Sequence, residues 1–392
     1  MSQPRRARGG REANDAGALW EYRLARLRFM QGFFVRRSIY VWPDGLGLQS
    51  NNLAELDVLS TSFDARLRRR TEIIEAKSGT GAKEVERVMW MRGMAAYTGV
   101  DEATFAKVRV DPRVRPVARR VRVNILDEAA VAAAEKALGI GDMEWIGFAD
   151  PDLGERVVKP AREHLTSSDP LRRAGRFLFG TFWFTDEFTR IKQLRTLADL
   201  LHENHSDVDP TALVLACSEV VTLTALSTLE VTNWRGQYEP AEFQEFATGQ
   251  FSSGLGQPDG LRRLLAQVDA MTHDFVEGLH DEYTAATGAA RISRRIPQLQ
   301  HELLRVPEWA EAFMDLSSRM QERADLAMHI LQLLDLRAAG RLGSTRNGGK
   351  AGTRWAGADQ QVIDAANLVE RFCVSVWGLP ERGLQPVSGK LA

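Results

Sequence analysis

The chain has 392 residues, 44% of them hydrophobic and 26% charged. That is enough apolar material for two packed domains of ordinary size, and it excludes a wholly disordered chain. Its two cysteines, Cys217 and Cys373, lie in apolar helical patterns without a CxxC pair or a histidine at ligand spacing. They read as buried thiols in a reducing compartment, against a disulfide framework or a zinc site. The net charge of −1 hides an asymmetry: residues 1–140 carry 25 Lys and Arg against 17 Asp and Glu, and the remainder 26 against 35. A basic first part suits a polyanion such as nucleic acid, or simply keeps a surface soluble; charge alone leaves the two readings even.

Residues 1–17 read as a disordered basic tail, too polar for a signal peptide. From Ala18 to Met30 the apolar residues recur at helical spacing, and Gly32 ends that helix. Phe33 to Val41 is a first strand, and residues 43–52 a Pro/Gly/Asn loop. Two more strands follow, around Leu56–Leu59 and Thr71–Lys77. The turn between them, Asp64 to Arg70, holds Arg66, Arg68, Arg69 and Arg70. It is either a solvated hairpin tip or a phosphate-contacting edge. Ser78-Gly79-Thr80-Gly81 turns the chain into a helix from Lys83 to Tyr97; it lacks the spacing of a phosphate-binding P-loop. A strand over Thr104–Val110, a short Arg-rich helix to Arg120, a strand through Ile125 and a helix from Asp127 to Leu138 complete an αβββαβαβα order. This predicts a mixed α/β domain over 18–140.

Residues 141–392 lose strand alternation, and long helical patterns take over. They fall at 171–188, 191–202, 210–228, 261–284, 297–304, 307–336 and 360–377. The Gly/Arg-rich stretch 340–357 reads as a flexible loop. The longest apolar run, Thr211 to Val231, contains Glu219 and several Ser and Thr, which favours a core helix over a membrane span. The aromatic run Phe177–Phe184 reads as packed core or a subunit interface, and His202-Glu203-Asn204-His205 lacks the spacing of a zinc motif. A soluble, cytoplasmic protein without membrane partners is expected.

Period-2 geometry puts Ile73, Glu75 and Lys77 on one strand face, and an antiparallel neighbour can set Asp57 beside Glu75. Two carboxylates and an ammonium on an apolar sheet are costly unless a divalent cation balances them. Glu21 sits in the preceding helix. Together, WEYRLARL, Gly32-Phe33-Phe34-Val35-Arg36, ELDVL, IIEAKSG and PVARRVRVNILDEAAVAAAEKAL resemble, in this order, the PD-(D/E)XK nucleases, closest to the Mrr-like restriction endonucleases. The resemblance covers about residues 18–140. It implies an α/β restriction-endonuclease-like mixed sheet flanked by helices, here followed by a mostly α-helical domain for recognition, regulation or assembly.

On that resemblance Asp57 and Glu75 bind Mg²⁺, for which Mn²⁺ substitutes, with the Ala76 carbonyl as a further ligand. Lys77 orients or deprotonates the attacking water, and Glu21 reaches the metal directly or through water. Glu55, on the strand face of Asp57, is either another ligand or a surface carboxylate. Arg36, Arg37 and the four hairpin arginines are candidate contacts to nucleic acid, with DNA favoured. The sequence departs from the family in having Leu56 before Asp57 where a proline is common, and Glu84 and Glu86 where some relatives carry glutamine. The implied activity is a metal-dependent endonuclease of bacterial restriction or anti-phage defence, acting as a homodimer or in a larger complex. The competing reading is a non-catalytic binding or assembly subunit that keeps the fold.

Overall fold

The computed structural model describes residues 6–42, 52–78, 83–141, 145–169, 171–253, 258–289, 298–299, 305–343 and 359–387. The expected loop after the first strand, the glycine turn after Ser78, nearly all of the expected helix at 297–304 and most of the stretch 340–357 lie outside the described residues.

The first part runs α1 (Arg6–Met30), β1 (Phe34–Val41), β2 (Ala54–Phe63), β3 (Arg69–Lys77), α2 (Glu84–Thr98), β4 (Glu102–Lys107), α3 (Val114–Arg120), β5 (Asn124–Asp127) and α4 (Glu128–Leu138). The order matches the αβββαβαβα reading. Helix α1 starts at Arg6, so the expected basic tail is helical from there on. One five-stranded sheet has the order β1-β2-β3-β4-β5. The first three strands form an antiparallel meander, and β3, β4 and β5 are parallel. The parallel pairs need crossovers, which α2 and α3 supply.

Local chemistry sets several element ends. The Asp127 carboxylate accepts the Ala130 N–H at 2.9 Å and caps α4, and Gly139 leaves the helix at φ 68°, where a side chain would be strained. Replacing Asp127 by Ala is expected to cost about 1 kcal/mol in urea unfolding. An unchanged midpoint would show that the cap contributes nothing.

The sheet is covered on both faces. Trp20, Leu24 and Leu27 of α1 and Val131 of α4 pack with Val35, Val58, Ile74 and Ala106. Val88 and Met91 of α2 and Ala118 of α3 pack with Ile39, Leu59, Ile73 and Phe105 on the opposite face. That second core continues without a break into the helical part.

The helical part contains α5 (Lys159–Ser167), α6 (Arg172–Leu178), α7 (Glu187–Asn204), α8 (Pro210–Arg235), α9 (Pro240–Ser253), α10 (Pro258–Thr287), α11 (Ala310–Gln321), α12 (Ala327–Arg341) and α13 (Gln360–Ser375), with short helical turns between some of them. Helix α8 is the axis, contacted by α5, α7, α11, α12 and α13. By length and composition it would cross a membrane, but its apolar window is wholly buried by the other helices. Its threonines are tolerated there because Thr222, Thr224, Thr228 and Thr232 each donate to the carbonyl four residues back.

The boundary near residue 140 marks a change of secondary structure, and the core crosses it. Trp183 stacks on Phe34 at 6.2 Å, so the Phe177–Phe184 run is packed interior as expected. The free edge of β1 is also closed by the helical part. The Tyr40 N–H donates to the Phe179 carbonyl at 2.9 Å, and the Arg162 guanidinium donates to the carbonyls of Arg37 (3.0 Å) and Ser38 (2.5 Å). Arg36 of β1 is buried and pairs with Glu219 of α8 (3.1 Å) and Asp335 of α12 (2.5 Å). Glu219, the charge buried mid-way along the most apolar helix, thus has its partner in the sheet.

Candidate active site

Glu75 and Lys77 lie at the C-terminal end of β3, beside the parallel strand β4. Ligand sites of α/β sheets commonly sit beyond the carboxyl ends of parallel strands. The β2–β3 ladder pairs Val58 with Ile74, and one further step sets Asp57 opposite Glu75. There the ladder gives way. The Ala76 N–H donates to Asp57 Oδ2 (2.8 Å), and on the other side of β2 the register sets Asp57 opposite Ser38, whose φ of 54° is a left-handed value rare outside glycine. Arg162 takes up the Ser38 carbonyl at that distortion.

Lys77 Nζ lies 2.8 Å from Glu75 Oε1 and 3.2 Å from Asp57 Oδ2. Glu75 is buried, and Arg87 of α2 approaches it at 3.5 Å. Glu21 of α1 is held by Arg37 at 2.8 Å, and Arg37 in turn lies over the Tyr22 ring. The sequence-derived set of Asp57, Glu75, Lys77 and Glu21 is therefore brought to one place. Beside it, the β3–β4 register sets Lys107 next to Lys77, and Lys107 is buried against Glu84 at 2.5 Å. Sequence reasoning passed over Arg87, Lys107 and Arg162. Lys107 had a signal, since it ends an apolar strand directly after an alanine, as Lys77 does. Arg162 had none, because its carbonyl partners are remote in the chain.

The electrostatics are those of crowded carboxylates drawn out of water. Burial pushes the Glu75 carboxyl up, and Asp57 pushes it further; Lys77 and Arg87 only partly compensate. Glu21 is also raised, first by burial and then by Asp57, against the pull of Arg37. Burial disfavours the Lys77 ammonium, but Asp57 and Glu75 outweigh it and its pKa is raised.

The donors are hard oxygens, carboxylate and strand-end carbonyl, of the type that suits Mg²⁺. One buried and one half-buried carboxyl, raised by desolvation and further by Asp57, are also what a divalent cation would relieve. The residues fit such an ion on those grounds. Among the described residues no group of three or more His, Cys, Asp or Glu side chains forms a ready metal cage, and Lys77 already balances part of the charge.

A cleft of about 940 Å³ opens beside the site. Glu21, Arg37, Glu55, Ala76 and Lys77 line one side, and Lys159, Arg162 and Glu163 of α5 line the other. Asp57 and Glu75 are not among the residues that line it; Lys77, which contacts both, is. Gly154 forms part of the wall because a side chain there would collide with the Tyr22 hydroxyl, 1.8 Å from where its Cβ would sit.

The candidate phosphate-binding arginines do not form one surface. Arg36 is a buried partner of Glu219 and Asp335, which removes it from any nucleic-acid contact. Arg69 binds Glu230 of α8 at 3.1 Å. Arg66, Arg68 and Arg70 are exposed, Arg68 being paired with Asp64. They sit at the β2–β3 tip, roughly 20 Å along the hairpin from Asp57, because strands advance by roughly 3.3 Å per residue. The four hairpin arginines therefore stand away from the site; of these six, Arg37 and the buried Arg36 line the cleft.

The other sequence candidates also resolve. His202 Nδ1 is hydrogen-bonded to the Gly378 carbonyl (2.9 Å) and His205 Nδ1 to the His202 carbonyl (2.6 Å). Cys217 and Cys373 are buried free thiols, and burial pushes Cys373 up to about 12. No protein-family model matches the chain, and neither a curated protein nor a solved structure matches it.

Proposed function

We propose that this protein is a Mg²⁺-dependent endonuclease that hydrolyses phosphodiester bonds of nucleic acid, with DNA as the favoured substrate. The observation that carries the reading is the convergence of Asp57, Glu75 and Lys77 where the β2–β3 ladder opens, with Glu21 beside them. The order of elements and the motif residues support a restriction-endonuclease-like domain of the Mrr-like type, and with it a cytoplasmic role in bacterial restriction or anti-phage defence.

Asp57, Glu75 and the Ala76 carbonyl would hold Mg²⁺, with Glu21 reaching it directly or through water. When bound, the ion supplies Lewis acidity at the phosphoryl oxygen and a lowered pKa for water. Lys77 places a fixed positive charge where negative charge accumulates on the phosphate, and its contact to both carboxylates keeps it oriented. Arg87, partly exposed and next to Glu75, is a second cation for that charge. Arg37 positions Glu21. Lys159 and Arg37, on opposite sides of the cleft, suit a phosphate backbone passing between them.

One observation favours a second reading, a non-catalytic binding or assembly subunit. Lys77 neutralises part of the acidic pair without any metal, so the three charges are self-consistent as a structural cluster.

Thermal melting with Mg²⁺ separates the two. Because Glu21 and Glu75 are raised, the folded state holds their protons more tightly than the unfolded chain does. Their contribution to stability therefore declines as pH rises from the ordinary carboxylate range through the raised values. A cation needs the ionised forms. Stabilisation by Mg²⁺ should thus grow from pH 5 to pH 8 and vanish in Glu75→Ala. A melting temperature indifferent to Mg²⁺ and Mn²⁺ at pH 8 would leave the binding-subunit reading standing.

A further inference from the structure

Residues 107–122 hold seven Lys and Arg against a single acid, Asp111. Lys107 is buried against Glu84, but Arg109, Arg113, Arg115, Arg119, Arg120 and Arg122 are all exposed. They lie on and around α3, the crossover from β4 to β5. Those strands are parallel, so α3 runs back from the end of the sheet that carries Lys77 and Lys107 to the opposite end. The arginines thus form a track that starts two residues after Lys107. From Arg113 to Arg122 it extends about 13 Å at helical rise. Val114 and Ala118 bury the inner face of α3, which leaves Arg119 and Arg120 outermost and Arg113 and Arg115 on the flanks.

The acids around the track are already committed. Asp111 pairs with Arg113 at 2.6 Å, and Asp127 pairs with Arg115 and caps α4. Asp101 accepts from the Thr71 N–H at 2.7 Å, and Glu102 from Asn124 at 3.4 Å. Arg109, Arg119, Arg120 and Arg122 have no ion pair among the described residues.

Arg122 also sits where the backbone disfavours it. Helices α2, α3 and α4 close alike: the N–H groups of Val100, Val123 and Ile140 donate to the carbonyls of Ala95, Ala118 and Glu135, five residues back, at 3.1, 2.9 and 2.9 Å. That closure needs a left-handed residue just before the donor. It is Gly99 after α2 (φ 70°) and Gly139 after α4 (φ 68°), but Arg122 after α3 (φ 58°). Glycine takes this conformation without strain and arginine does not. Arg119 and Arg120 already satisfy the dipole of α3 from its last turn, so Arg122 adds charge at the expense of the fold.

We propose that this track binds the phosphate backbone of duplex DNA irrespective of sequence. Guanidinium forks match phosphate oxygens, and the track spans about four phosphates of one strand at roughly 3.4 Å each. Between residues 98 and 141 no large apolar side chain is exposed. The stretch therefore offers neither a membrane anchor nor a platform on which unpaired bases stack. The choice of DNA among polyanions rests on the nuclease reading; the binding surface itself does not.

Binding of a short labelled DNA duplex to the full-length protein in EDTA, followed by fluorescence anisotropy, tests the track apart from metal-dependent cleavage. The wild type is expected to bind duplexes of unrelated sequence equally, with an affinity that falls steeply as salt is raised. Arg119→Gln/Arg120→Gln should weaken binding roughly tenfold and lower the salt slope by about two. Arg122→Gly should weaken it too while raising the melting temperature, a combination that a purely structural arginine would not give. Arg319→Gln/Arg371→Gln, the same loss of charge at exposed positions of the helical part, should bind as the wild type does. A wild type that binds no duplex, or arginine variants that bind as tightly as it does, would overturn the proposal even if the protein cuts DNA. Loss of binding in those variants upholds it even if no cleavage is found. Arg122→Gly with full affinity would overturn the role given to the strained turn. Tighter binding of the single strand, or competition by polyglutamate as effective as by duplex, would overturn the choice of partner.

Discussion

Lys77→Ala should lower Mg²⁺-dependent cleavage of plasmid DNA by roughly 10²–10³-fold while leaving cation binding intact or stronger. The expectation follows from the two tasks assigned to the cluster. On the proposed function Lys77 would supply charge to the reacting phosphate, whereas Asp57 and Glu75 would hold the cation. Removing the ammonium takes away the charge that competes with a metal for both carboxylates, at 2.8 and 3.2 Å. The Mg²⁺-induced rise in melting temperature should therefore persist in Lys77→Ala and be lost, with cleavage, in Glu75→Ala. Asp57→Ala should also lose both, since its carboxylate holds the Ala76 N–H as well as Lys77. Nicking at equal rates by the wild type and all three variants would mean that the activity belongs to another site or to a contaminant.

Arg36→Met should destabilise the protein by about 3–5 kcal/mol, because it leaves Glu219 and Asp335 buried without their cation. That is a large share of the roughly 5–15 kcal/mol that holds an ordinary domain together. The guanidinium also lies against the Phe34 and Phe148 rings at 4.3 and 5.1 Å, so some packing is lost too. The pH dependence identifies the cause. Burial raises the Asp335 carboxyl to about 6, against the pull of Arg36. In the wild type its contribution to stability is greatest below the ordinary carboxylate pKa and declines as pH rises through about 6. Without Arg36, the ionised carboxylates carry the full penalty of burial, and the neutral forms carry much less. The deficit of Arg36→Met in urea unfolding should be larger at pH 8 than at pH 5, and Arg36→Met/Glu219→Leu/Asp335→Leu should recover most of it. Equal deficits at the two pH values would point to packing around Phe34 and Phe148 as the whole effect.

The α/β part was readable because its signals are local. Alternation marked β1, β2 and β3; the Asp127 cap and Gly139 marked both ends of α4; and parity placed Glu75 and Lys77 on one face. Asp57 could be set beside Glu75 because an antiparallel hairpin leaves few registers. The arginines were less readable. Arg36, Arg37, Arg66, Arg68, Arg69 and Arg70 are alike as sequence, yet one is buried in the core, one holds Glu21, one is tied to Glu230, and three stand at the far end of a hairpin. A charged side chain is placed by its partner, and Glu219, Asp335 and Glu230 lie far away in the chain.

The sequence by itself determined the element order, the polarity of each strand face and the identity of the residues at Asp57, Glu75, Lys77 and Glu21. Periodicity, caps and hairpin register act over a few residues and need no distant partner. Only the tertiary structure decided that the helical part shares a core with the sheet, closes the edge of β1 and forms the second wall of the cleft. It also decided that Lys77 bridges both carboxylates and that α10 keeps an apolar stripe exposed. Those outcomes depend on which long-range contacts bury the most apolar surface while pairing every buried charge, and no local pattern specifies them.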